Sequence, residues 1–421
     1  GILALLTHNA NAASVCDKIA GKLASIEGQV TVQSTGQAGW QAAALNQSLC
    51  KGDTVRTAER SRATVALVNQ GVLRIDQNTA MRLDNINPAA EEKSFLSLVK
   101  GTLQSFSRKP RSFEVSTPYL NGSIEGTEFV FRTDAAGSEL TVIEGVVRAS
   151  NQQGDTSVTG GQAALAEPGQ APLTLTVVHA RDAAQWSLYY PPVLADGSGL
   201  ASPALQQAAY DLSVGRVDEA RTGVEHAIEA GGGDAGLAYA LRAVIGVVQN
   251  HYDSALADAQ QAVALSPDST AAKIAYSYAL QAGFRLPEAR EVLQQAVTQH
   301  PEDALALARL SELQLMLGET EQANVTAQRA ASRAPQLGRA QITLGFAALA
   351  GFHNEAAKAA FRRAISLDSA DPLPHLGLGL AQISDGDLEG GRAEIEVAVG
   401  LNSSDPLLRA YLGKAYFEEK R

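Results

Sequence analysis

Aromatic side chains make up only 5% of this 421-residue chain, and cysteine and methionine supply two residues each. A core built mainly from large rings is excluded over most of the length, so helices must approach one another through small residues. The two cysteines form no Cys-x-x-Cys pair, and the seven histidines (His8, His179, His226, His251, His300, His353 and His375) are scattered without ligand spacing. Neither a metal site nor thiol chemistry is expected. Past the first few residues no run reaches 18 apolar positions, so no transmembrane span is expected. The balance of 34 basic against 45 acidic residues, net −11, includes no Lys/Arg-rich face. Such a surface repels phosphate backbones, so no nucleic-acid partner is expected. The one basic cluster, Arg108, Lys109 and Arg111 around Pro110, reads as a solvated turn. Gly231-Gly232-Gly233 lacks the strand-to-helix setting and following lysine of a phosphate loop, and no nucleophile elbow occurs. The expectation is no catalytic residue, no cofactor and no enzyme.

What the chain does contain is enough for two or more globular domains, with 45% hydrophobic against 19% charged residues. It opens on the apolar stretch Gly1-Ile2-Leu3-Ala4-Leu5-Leu6, followed by Ala10-Asn11-Ala12-Ala13. A short apolar run and a small-x-small triplet match the end of a secretory signal, so residues 1–13 are expected to be a signal remnant; a frayed apolar terminus is the alternative. Export places the rest in an oxidising compartment, where Cys16 and Cys50 are expected to pair rather than remain two unrelated buried thiols.

Residues 14–180 read as all-β. Gln29-Val30-Thr31-Val32-Gln33, Ala63-Thr64-Val65-Ala66-Leu67 and Glu139-Leu140-Thr141-Val142-Ile143 alternate with period two and are broken by Gly and Asn turns about every ten residues. That spacing predicts a sandwich or rolled sheet. The ordered motifs Gly28-Gln29-Val30, Gly52-Asp53-Thr54-Val55-Arg56-Thr57, Ser61-Arg62-Ala63-Thr64-Val65, Leu73-Arg74-Ile75, Phe113-Glu114-Val115-Ser116-Thr117-Pro118, Gly126-Thr127-Glu128-Phe129, Glu144-Gly145-Val146 and Gly161-Gln162 resemble the FecR domain. The resemblance implies a setting in the bacterial cell envelope. In the regulator that names the family, an anti-sigma segment and a transmembrane helix precede the domain, and neither is seen in these residues. Arg74, Thr117 and Glu128 stand out as polar residues at strand ends, where turn and strand-pairing roles outweigh a ligand site.

Residues 181–202 read as a linker. Trp186, Leu188, Tyr189 and Tyr190 are expected to clamp it against a domain, Pro191-Pro192 to hold it extended, and Asp196-Gly197-Ser198-Gly199 to loosen it.

From residue 203 to 421 a small residue recurs about every 34 positions at Ala220, Ala255, Ala289, Ala323, Ala357 and Gly391, shadowed seven residues later by Ala227, Ala262, Ala296, Ala330, Ala364 and Ala398. A fixed period with small residues in register is the mark of a helix-turn-helix solenoid whose units bury their faces by stacking. Gly215, Asn250, Gly318 and Gly386 fall at turns inside units, while Pro267, Pro301 and Pro335 follow second helices. The pattern resembles tetratricopeptide (TPR) repeats, with six full units and the first helix of a seventh; the natural chain is expected to continue past Arg421. The fold class is therefore multidomain, an N-terminal all-β FecR-like domain followed by an all-α TPR superhelix.

The resemblance places binding on the concave face, lined by the first helix of each unit. Its exposed positions are expected at Ala240, Val244, Ile274, Tyr278, Ala308, Glu312, Ile342, Phe346, Leu376 and Leu380. Repeats that grip a C-terminal carboxylate carry Lys, Arg and Asn there. This face is apolar, so an apolar helix or extended segment of a protein partner is expected, or else filling by the chain itself. The functional expectation is a non-enzymatic exported scaffold, periplasmic or associated with the cell surface, within an envelope or outer-membrane complex. The second reading is an envelope sensor in which the β domain acts on a membrane partner.

Overall fold

The computed structural model describes residues 16, 18–89, 92–107, 113–124, 128–194 and 202–420. The signal remnant at 1–13, the Arg108, Lys109 and Arg111 cluster, Gly126-Thr127 and Asp196-Gly197-Ser198-Gly199 lie outside the described residues.

The alternating segments form seventeen strands in chain order: β1 (Ile19–Glu27), β2 (Val30–Gln33), β3 (Gln41–Ala42), β4 (Ser48–Cys50), β5 (Thr54–Thr57), β6 (Arg62–Leu67), β7 (Val72–Ile75), β8 (Ala80–Asn85), β9 (Ser94–Phe106), β10 (Phe113–Ser116), β11 (Asn121–Ile124), β12 (Glu128–Thr133), β13 (Ser138–Glu144), β14 (Val146–Asn151), β15 (Gly154–Thr159), β16 (Gln162–Ala166) and β17 (Leu173–Thr176). They make two layers joined through the long β9. One layer runs β4-β1-β6-β7-β9-β12-β13-β16-β17 and the other β3-β2-β5-β8-β9-β10-β11-β14-β15, antiparallel except for the β9–β10 pair. Strand β9 changes layers at Gly101. Its φ of 96° belongs to the region glycine tolerates, and a Cβ there would lie 2.2 Å from the Thr79 hydroxyl. Inward residues, among them Leu23, Val65, Leu73, Met81, Leu103, Phe131 and Leu140, form one hydrophobic core. Phe129 and Phe131, two residues apart, meet edge to face with centroids 5.8 Å apart. Cys16 and Cys50 are disulfide-bonded, the pairing expected from the export reading.

After a 3-10 helix at Ala180–Ser187, absent from the sequence expectation, thirteen helices follow: α1 (Pro203–Ser213), α2 (Val217–Ala230), α3 (Ala235–Val248), α4 (Tyr252–Leu265), α5 (Thr270–Ala282), α6 (Leu286–Gln299), α7 (Ala304–Met316), α8 (Thr320–Arg333), α9 (Gly338–Ala350), α10 (Asn354–Leu367), α11 (Pro372–Ser384), α12 (Leu388–Leu401) and α13 (Pro406–Lys420). The alanine ladder explains their spacing. Ala255, Ala289, Ala323 and Ala357 are wholly buried where paired helices touch. In the later units ring packing replaces part of the ladder: a Cβ on Gly345 or Gly377 would meet the Phe361 ring at 2.6 or 2.2 Å. Helices α4, α6 and α8 each stop two residues before Pro267, Pro301 and Pro335, because proline offers no amide to continue them.

Candidate binding groove

The odd-numbered helices carry the ten positions expected to line the concave face. Ala240 and Val244 lie on α3, Ile274 on α5, Ala308 on α7, Ile342 on α9 and Leu376 on α11, and all six are buried. Tyr278, Glu312, Phe346 and Leu380 are half-buried. None of the ten is exposed, which differs from the expected exposure; adjacent repeat helices meet them, together with segments from outside the solenoid. Val193 joins the same continuous apolar cluster as Leu205, Ala240, Val244, Ile274 and Ala308, with Leu194 packed on it. At the other end Leu376 and Leu380 share a cluster with Phe106 of β9, while Phe346 stacks edge to face on Phe361 at 4.9 Å, in a cluster that Leu45 of the β half also touches.

A polar spine crosses this apolar lining. Arg309 donates to Glu312 at 2.8 Å and lies 3.9 Å over the Tyr278 ring. Glu312 also accepts from Arg339 at 3.1 Å, and Arg339 pairs with Asp371 at 2.9 Å. Two arginines are thus held by two carboxylates in a setting where an unpaired charge costs several kcal/mol. Arg339 lies 5.4 Å from the centre of the Tyr189 ring, and the Tyr189 hydroxyl donates to Asp368 at 3.0 Å. Asp371 caps α11 by accepting from the Leu373 amide at 3.0 Å. Burial, with Asp368 adding to it and Arg339 opposing it, pushes the Asp371 carboxyl up to about 6. Burial and the carboxylates Asp368 and Asp371 likewise raise the Tyr189 phenol. The linker therefore runs from a phenol seated between α9 and α11 to Val193 and Leu194 in the apolar cluster, with Pro191-Pro192 between.

The β half holds this arrangement through three residues that the sequence reading treated as strand residues or turn formers. Arg62 is 1% exposed and donates to Glu27 at 2.8 Å, to the Trp186 carbonyl at 2.6 Å and to the Ser213 carbonyl at 2.9 Å. Arg74 donates to Thr64 at 2.6 Å and to the Ser187 carbonyl at 2.9 Å; burial draws its guanidinium down to about 10, with Glu27 opposing. The Glu128 carboxylate is wholly buried and accepts from Gln104 at 3.0 Å, Ser403 at 2.6 Å and Arg409 at 2.7 Å. Arg74 and Glu128 are paired strand residues, as expected, and in addition Arg74 holds the linker and Glu128 the solenoid. Thr117 does serve its turn, donating to the Leu120 carbonyl at 2.5 Å. The signal for the joints was arginine inside strands β6 and β7, which are buried on both faces. Nothing in the sequence identifies the carbonyls they meet, which lie more than a hundred residues away.

The apolar joint is as close. Val397 and Leu401 of α12 pack on Ala24 and Ala66, and a Cβ on Gly400 would lie 2.3 Å from Val72. The Ser404 hydroxyl donates to the Val248 carbonyl at 3.3 Å, bringing the end of the sixth unit back to the second. Among the described residues no helix is long and apolar enough to cross a membrane.

The model of the family described as FecR protein matches residues 53–148, and that described as tetratricopeptide repeat matches residues 277–337 and 343–406. The chain thus carries a FecR domain followed by TPR repeats. Among solved structures it is similar to a thermophilic TPR protein of Thermus thermophilus (20% identity, TM-score 0.39, covering 43% of this chain and 99% of that one). It is similar also to PilW, a widely conserved type IV pilus biogenesis factor (19%, 0.37, 50% and 96%), and to yeast Tom70 (13%, 0.35, 52% and 47%). No curated protein matches the chain.

Proposed function

We propose that this chain, which joins a FecR domain to TPR repeats, is a non-enzymatic exported scaffold of the cell envelope whose solenoid groove takes an apolar extended segment of another protein. FecR and TPR domains together suggest an envelope-associated role in protein interaction or regulation, and both families are generally non-catalytic. The observation that carries the finer reading is the resident segment. Tyr189 sets its ring over Arg339 and its hydroxyl on Asp368, Val193 and Leu194 join the apolar cluster of the inner helices, and Tyr190 between them packs on Leu212, Val217, Ala220 and Ile245. A groove that seats this stretch has the chemistry for a partner segment of the same kind, extended by proline and anchored by a phenol and an aliphatic side chain. The Cys16–Cys50 bridge supports an oxidising compartment.

The test is to vacate the groove. A Tyr189→Ser/Val193→Ser variant of the full chain is titrated with a labelled peptide of residues 187–194. The proposal expects micromolar binding to the variant and at least tenfold weaker binding to the wild type, whose own segment competes. A folded variant that leaves the peptide unbound refutes the groove as a segment-binding site. Export is tested by fractionating the native cells and probing the periplasmic and cytoplasmic fractions for the chain.

A second reading, a sensor acting through the FecR domain on a membrane partner, draws support from the Arg62, Arg74 and Glu128 joints. A ligand that shifted strands β6 or β7 would act on the linker, and one that shifted β12 would act on Ser403 and α13.

A further inference from the structure

The turn inside each unit places one residue in the left-handed region. In four units it is Gly215 (φ 78°), Asn250 (64°), Gly318 (78°) and Gly386 (91°), residues suited to that backbone. In the third and fifth units it is Phe284 (58°) and Phe352 (61°). A bulky side chain there is a backbone outlier, and neither ring recovers the strain by burial, being 90% and 89% exposed. The turns of successive units lie along one edge of a solenoid. The second and fourth units add Tyr252 (41% exposed) just after the turn and Met316 (46%) just before it. Four neighbouring turns thus each present one large apolar side chain.

The frame around these tips is acidic. Residues 249–255, 283–289, 317–323 and 351–357 hold five carboxylates and one basic side chain, Arg285, and the next turn, 385–391, adds three carboxylates. Arg285 is paired with Glu288; just outside these stretches, Arg290 pairs with Glu319, and Lys358 with Glu355 and Asp385. Glu321, Asp387 and Glu389 remain exposed on the same edge. Apolar tips in a negative frame fit a surface with apolar pockets ringed by positive charge. The same charges oppose an anionic bilayer and a second copy of the edge.

We propose that the turn edge of the second to fifth units, led by Phe284 and Phe352, is a docking surface for a protein partner whose apolar pockets are bordered by lysine and arginine. The surface is separate from the groove. Side chains that strain the backbone and bury nothing are explained by what they bury in a complex.

The photoreactive residue benzoylphenylalanine is placed at 284, at 352 and, as a control, at Tyr210 on α1, which is 48% exposed. The full chain is irradiated in its native cells and the adducts are sequenced. Positions 284 and 352 are expected to label the same protein, at apolar residues flanked by Lys or Arg, and position 210 is not. With that protein purified, Phe284→Gly/Phe352→Gly is expected to weaken binding at least tenfold and to leave the melting temperature equal or higher. Tyr189→Ser/Val193→Ser, the groove variant, is expected to bind it unchanged. Adducts to phospholipid, to a second copy of this chain or to an acidic surface, or labelling no stronger than at 210, overturn the proposal. So does a fall of several degrees in the double glycine variant, since the rings would then be stabilising the chain itself.

Discussion

Glu128→Gln removes one charge and little volume from the centre of the joint between the β half and α13. The native carboxylate has no solvent contact and accepts from Gln104, Ser403 and Arg409. The amide keeps one acceptor oxygen, turns a donor toward neighbours that already donate, and leaves Arg409, itself only 20% exposed, without its main counter-charge. Breaking a buried pair by neutralising one partner costs about 3–5 kcal/mol, and the partial exposure of Arg409 places this case near 3 kcal/mol. The assay is urea unfolding in a Trp40→Phe background. Fluorescence then reports on Trp186 alone, which is 9% exposed and whose carbonyl receives Arg62. A double-mutant cycle with Arg409→Met isolates the pair, with an expected coupling of about 1–2 kcal/mol. If Glu128→Gln shifts stability by less than about 1 kcal/mol, or the two changes add to within about 0.5 kcal/mol, the joint does not hold the domains together and the assignment of Glu128 fails.

Gly400→Leu drives a side chain into Val72, where even a Cβ approaches to 2.3 Å; the solenoid is expected to lift from the sheet, raising the radius of gyration in X-ray scattering while far-ultraviolet dichroism stays constant. Asp371 follows a sign set by its raised value of about 6. The folded chain holds this proton more tightly than the unfolded chain, so the contribution of Asp371 is full below about pH 4 and is lost as pH rises through about 6. Asp371→Asn keeps the cap on α11 and is expected to flatten that loss, so urea midpoints of wild type and variant that run parallel from pH 4 to 7 would contradict the assignment. Reduction of Cys16–Cys50, which spans 34 positions, is expected to cost about 4 kcal/mol by the chain-entropy relation; calorimetry with and without reductant measures it.

The repeat architecture was legible because it is local. Each unit states its own length through Ala255, Ala289, Ala323 and Ala357 and through the prolines after α4, α6 and α8, and helix pairs form from contacts a few turns apart. The β half was legible as strands, since alternation with period two reports one buried face. Its 3-10 helix at Ala180–Ser187 was not, because the segment is specified by packing at the joint and by the arginines that take its carbonyls. Phe284 and Phe352 carried a signal that was available and unused. They stand at the repeat position filled elsewhere by Gly or Asn.

By itself the sequence determined two structural classes and the order in which they follow. These depend on periodicity and composition, which are properties of neighbours along the chain. Only the tertiary structure decided what the inner helices face. The closure of the sixth unit on the second, the seating of Tyr189 on Asp368 and the meeting of Glu128 with Arg409 join positions up to 281 residues apart. Contacts of that span follow from superhelical curvature and from the fit of two finished surfaces. That fit is set by the shape of whole domains, and no local pattern records it.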